Sequence, residues 1–168
     1  MGSRKISFSC YPGAVAWLLA DRAAARTPLD NPGAVAALLD SLRAAGAQEQ
    51  VTALADRAAA DVSLGDPFAV ARLLDSLRAA GAQEEAAALL RRDPAAHVSL
   101  GDPFAVARLL HALRAAGAQD LAAALADRLP AEGMFGLYRQ QEGSQDRFRF
   151  GREADGSPAG PWGWEDLD

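Results

Sequence analysis

The segment DPFAVARLLDSLRAAGAQE at residues 66–84 returns thirty-six residues later as DPFAVARLLHALRAAGAQD, and a third version, NPGAVAALLDSLRAAGAQE, precedes both at 31–49. A period of 35 to 36 residues constrains the fold more than any other property of this chain. Units of this kind carry an apolar stripe that none can bury alone, so they stack and bury it against one another. Three copies are about the fewest that close a continuous core.

Each copy carries its own helix boundaries. Asn31, Asp66 and Asp102 stand where an N-cap side chain accepts from the free amides of the first turn, and Pro32, Pro67 and Pro103 follow at the first helical position. Gly46, Gly81 and Gly117 stand where a helix closes through a left-handed residue. Between these marks Val70, Leu73, Leu74 and Leu77 fall at i, i+3, i+4 and i+7, as do Val35, Leu38, Leu39 and Leu42, and Val106, Leu109, Leu110 and Leu113.

After each glycine a second helix is predicted. Its buried face is Val51, Leu54, Ala55, Ala58 and Val62 in the first copy, Ala86, Leu89 and Leu90 in the second, and Ala122, Leu125 and Leu129 in the third. Linkers of a residue or two fold each pair back as an antiparallel hairpin. Pro94 stops the middle second helix near Arg92 and predicts a local kink.

The expected fold is all-α: a short right-handed α-solenoid of about seven helices, with repeats at 31–65, 66–101 and 102–133. Residues 1–30 read as a truncated copy, because PGAVAWLL echoes a first helix and ADRAAA a second, which leaves one capping helix with Trp17 placed to cover the open face.

From residue 134 alanine becomes sparse, and six of the eleven aromatic residues lie in this tail. Phe148 and Phe150 alternate with Arg147 and Arg149, a period-two pattern that predicts a strand, with Phe135 and Leu137 on a facing strand. A β-hairpin-like or irregular cap over the last repeat is one reading of residues 134–168. The other is a displayed peptide in which Trp162 and Trp164 anchor a partner.

The chemistry-bearing motifs are missing. Lys5 is the sole lysine and no phosphate-binding loop surrounds it, while the dinucleotide fingerprint, the nucleophile elbow and paired metal-binding cysteines are absent. His97 and His111 are the two histidines and Cys10 the one cysteine, too few for an intramolecular disulfide or a built zinc site. No catalytic, cofactor or metal residue is therefore expected, and no cofactor.

A net charge of −5 disfavours nucleic acid backbones and anionic membranes as partners. The segment RFRFGR does interleave arginine with aromatics, the ingredients of single-stranded nucleic acid binding, but acidic residues flank it. No apolar run is long enough to span a membrane and the first ten residues lack a signal-peptide core, so a cytoplasmic location is expected.

The repeat length places the chain near the tetratricopeptide and pentatricopeptide architectures, although the Trp, Leu-Gly and Tyr signature of the former is missing. The phrases AVARLLDSLRAAGAQ and ALADRAAA more closely resemble the Ala/Leu/Arg-rich tandem repeats of actinobacterial proteins, some of which are attached to switch-type NTPases. That resemblance implies a repeat scaffold and transfers no functional residue.

The expected function is a non-enzymatic scaffold that binds a protein or peptide, with self-association into a homo-oligomer as the alternative. Copies differ off the apolar stripe, where Ala37, Arg72 and Arg108 align, as do Asp40, Asp75 and His111. Arg72, Asp75, Arg108 and His111 are the predicted binding surface.

Overall fold

The computed structural model describes residues 12–140 together with residues 150, 153 and 159–161, with side chains from residue 18 onward. The described residues are all-helical, with nine helices and no strand. They are α1 (Pro12–Arg26), α2 (Pro32–Ala44), α3 (Gln48–Asp61), α4 (Pro67–Ala79), α5 (Gln83–Arg91), α6 (Pro94–His97), α7 (Pro103–Ala115), α8 (Gln119–Arg128) and α9 (Phe135–Arg139).

The helices begin and end where local chemistry directs. The Asp66 carboxylate accepts from the amides of Phe68 (2.9 Å) and Ala69 (3.1 Å), Asn31 accepts from Ala34 (3.0 Å), and Asp102 accepts from Phe104 (2.9 Å). At the other end of α4, Gly81 takes φ +75°, its amide donates to the Arg78 carbonyl, and the Ala82 amide donates to the Leu77 carbonyl, both at 3.0 Å. This paired closure satisfies two otherwise orphaned carbonyls and turns the chain directly into α5. The same bonds recur at Gly46 and Gly117.

A Cβ at Gly81 would meet no atom within 4 Å, so backbone conformation alone sets the cost of adding one. Gly81→Ala is expected to lower stability by about 1–2 kcal/mol in urea titration, the penalty of an L-residue held in the left-handed region.

Contacts sort the helices into two rows. Helix α2 packs on α4 and α4 on α7, while α1 packs on α3, α3 on α5, and α6 on α8. Cross-contacts of α2 with α3, α4 with α5 and α7 with α8 join the rows into hairpins. Between the rows lies one cluster of buried side chains that includes Val35, Leu39, Leu54, Val70, Leu74, Leu89, Val106, Leu110 and Leu125.

The repetition also holds in the connections. The Ser63 amide donates to the Leu29 carbonyl (3.2 Å), and thirty-six residues on the Ser99 amide donates to the Gly65 carbonyl (2.9 Å).

Burial of the predicted stripe depends on what lies alongside it. Leu73 and Leu109 are fully buried, whereas Leu38, at the same repeat position, is only partly buried. Leu38 is on α2, whose main packing in its own row is against α4. Helix α1 belongs to the other row and leaves Leu18 and Leu19 59% and 61% exposed. The Trp17 side chain, predicted to cover this end, lies outside the described side chains.

Two expectations are corrected. The described helices number nine rather than about seven, because Pro94 ends α5 at Arg91 and starts α6 after Asp93, which takes φ 52°, and because α9 follows α8. The strand predicted at Phe135 and Leu137 is helix α9. Its anchor is Tyr138, buried in the core, whose amide donates to the Met134 carbonyl at 3.0 Å and whose ring stacks on Phe135 at 6.3 Å. Met134, Phe135 and Leu137 pack partly against the same core. A helix brings positions 134, 135 and 138 together on one side, which alternation along a strand does not. The facing strand at 147–149 lies outside the described residues.

Candidate functional site

In α4 the apolar stripe faces the core and leaves the opposite positions to solvent. Phe68, Arg72 and Asp75 follow at i, i+4 and i+7 on that outer side, and Phe104, Arg108 and His111 repeat the spacing on α7. Because α4 and α7 pack side by side, the two outer stripes are neighbours.

A cluster forms between them. The Arg108 guanidinium lies 5.2 Å from the centroid of the Phe68 ring and donates to the Asp75 carboxylate at 3.4 Å. Arg78 approaches the other oxygen of Asp75 at 3.8 Å. Asp75 and Arg108 are about two-fifths exposed, so the ion pair contributes little stability, on the order of 0–1 kcal/mol. Its effect is to hold a guanidinium over an aromatic ring at the surface.

The structure therefore brings together two of the four residues predicted for the binding surface, Asp75 and Arg108. Arg72 and His111 are exposed on the same outer side and make no hydrogen bond or ion pair among the described residues. Trp162 and Trp164 lie outside the described residues. Of the RFRFGR segment only Phe150 is described, about half exposed.

Sequence reasoning missed the two phenylalanines. Phe104 is 70% exposed and Phe68 is 40% exposed even with Arg108 above it. The signal was present: both stand four residues before a stripe arginine and off the Val/Leu stripe. Gly33 holds the same place on α2, so the first outer stripe has no ring for Arg72 to cover.

A second recurrent group was also missed. Arg92, at the end of the α5 segment, donates to the carbonyls of Ala59 (3.3 Å) and Val62 (2.6 Å) at the C-terminal end of α3. Arg57 makes the same two bonds to Ala24 and Thr27, the latter at 3.3 Å, and Arg128 makes them to Ala95 and Val98, the latter at 3.3 Å. Each of these arginines fastens its helix to the C-terminal end of the preceding helix in that row through backbone carbonyls.

A cleft of about 530 Å³ between α3 and α5 is lined by Asp56, Glu84, Glu85, Arg91 and Arg92, with alanines at its floor. It mixes both signs of charge. His97 is exposed at the end of α6, its Nδ1 2.8 Å from the Asp93 carbonyl. Among the described residues no group of three His, Cys, Asp or Glu is placed to hold a metal ion, and no helix is long and apolar enough to cross a membrane. No protein-family model matches the chain, and neither a curated protein nor a solved structure matches it significantly.

Proposed function

We propose that the chain is a non-enzymatic helical-repeat scaffold, a short right-handed α-solenoid, that binds a protein or peptide along the outer side of α4 and α7. The observation that carries this reading is the surface itself: Phe68 and Phe104, exposed aromatic rings, stand in register with Arg72, Asp75, Arg108 and His111 on adjacent helices. Aromatic side chains, phenylalanine included, and arginine are enriched at protein interfaces relative to the rest of the surface. In stacked helical hairpins, residues on such a face vary without disturbing the core.

Replacing Arg72, Asp75, Arg108 and His111 together by Ala is expected to reduce capture of the partner from native lysate at least tenfold. Stability should fall by no more than about 1–2 kcal/mol, because exposed ion pairs and cation–π contacts are weak. Undiminished capture by this folded variant refutes the assignment.

Self-association is the second reading, favoured by Leu18 and Leu19 on α1, which together expose the largest aliphatic side chains at the N-terminal end of the described residues. Molar mass by light scattering across a concentration series separates it from the first.

A further inference from the structure

The outer side of α4 and α7 carries the same pair of repeat positions twice, once with an arginine seated at them and once, among the described residues, without. In the filled copy, Phe68 and Asp75 of α4 receive Arg108 from the next repeat, the guanidinium over the ring at 5.2 Å and bonded to the carboxylate at 3.4 Å. In the second copy, Phe104 and His111 of α7 stand at the same two repeat positions with the same i, i+7 spacing. The Phe104 ring is 70% exposed, against 40% for Phe68, and makes no aromatic or cation contact among the described residues.

We propose that Phe104 and His111 form an open slot for an arginine side chain of a peptide partner. The ligand chemistry is read from the chain's own occupant: the equivalent slot, built by the same phrase of sequence, holds a guanidinium. A planar guanidinium stacks on an aromatic face better than an ammonium does, and its five N–H donors leave some free for an acceptor beside the ring. Neutral imidazole presents one nitrogen as that acceptor. Arg114 stands where Arg78 stands in the filled slot, and Arg78 lies 3.8 Å from Asp75 there, so a neighbouring guanidinium is compatible with a seated arginine. The overall charge of −5 favours a basic peptide as well.

This inference rests on the outer side of α4 and α7 being a partner surface, and it makes a sharper demand. The probe is the blocked peptide acetyl-Gly-Arg-Gly-Arg-Gly-amide, titrated into the full chain with labelled phenylalanine rings and followed by NMR. The Phe104 ring resonances are expected to move and those of Phe68 to stay. Phe104→Ala should weaken binding about three- to tenfold, with an unchanged melting curve because the side chain is exposed. The Lys-for-Arg peptide should bind about threefold more weakly or worse.

His111→Asp, which restores the acidic partner of the filled slot, should tighten binding about threefold or more. This variant and the Lys comparison decide the matter if Phe104→Ala fails to fold. Equal affinity of Phe104→Ala, weaker binding by His111→Asp, or a Phe104 shift that tracks protein concentration without peptide each overturns the proposal, the last by assigning the slot to a second copy. If Phe104→Ala binds the probe normally while the fourfold Ala variant still loses its partner, the surface stands and the arginine slot falls.

Discussion

Leu74→Ala is expected to lower the unfolding free energy by about 2–5 kcal/mol in urea titration, with the midpoint shifted and the slope of the transition preserved. Leu74 is completely buried on α4, and α4 is the helix that packs against α2, α5 and α7 at once. Deleting its isobutyl group removes apolar surface from the middle of the molecule and leaves a cavity that alanine-rich neighbours, with short side chains, fill poorly.

The comparison that gives the number meaning is Leu18→Ala. Leu18 is the same residue type on α1 but 59% exposed, and its loss should change stability by no more than about 0.5 kcal/mol. A Leu74→Ala effect as small as that of Leu18→Ala contradicts the two-row packing. Because the described residues form three such hairpins and α4 belongs to the middle one, a loss of this size is a large fraction of the few kcal/mol that hold a small domain folded. Loss of cooperativity in the same variant would place the weakest joint beside α4.

What could be read from the residues was what depends on neighbours a few positions away. The Asn or Asp cap, the proline behind it, the i, i+3, i+4, i+7 stripe and the closing glycine are all local, and each sits where the pattern put it. Leu38 shows the limit: it occupies a stripe position identical to that of Leu73, yet its burial depends on whether another helix lies beside α2, and spacing within one helix carries no such information. At Phe135 the strand expectation followed the alternation at 147–150, whereas the helix is decided by Tyr138, which reaches the core from the last turn of a five-residue segment.

For the candidate surface, the arginines and the Asp/His exchange were legible because they vary among copies. Phe68 and Phe104 do not differ between the second and third copies, and a search for variation passes over them. Their importance appears only once α4 and α7 lie side by side and, among the described residues, Arg108 is found over one ring but no arginine over the other.

The recurrent arginine of the second helices was illegible for a different reason, and Arg92→Ala measures what it does. Its guanidinium donates to the Ala59 and Val62 carbonyls, which lie 33 and 30 residues earlier in the chain at the end of α3. Backbone acceptors carry no sequence signature, so nothing in residues 59 to 62 announces a partner. Removing the side chain leaves two partly buried carbonyls without their donor and takes a positive charge from a helix C-terminus, where the helix dipole favours it.

Together these losses are expected to cost about 1–3 kcal/mol, discounted because the site is only partly buried. Arg92→Lys keeps the charge but not the planar fork that spans two carbonyls one turn apart, and should recover less than half. The decisive control is Arg22→Ala. Arg22 sits in the phrase ADRAAA, which is repeated around Arg57, but it is exposed on α1 and makes no such bond among the described residues. Its removal should change stability by less than about 0.5 kcal/mol. Equal losses at positions 22 and 92 would mean that the arginine acts through its own helix alone, and that the hairpins are held in line by apolar packing without this fastening.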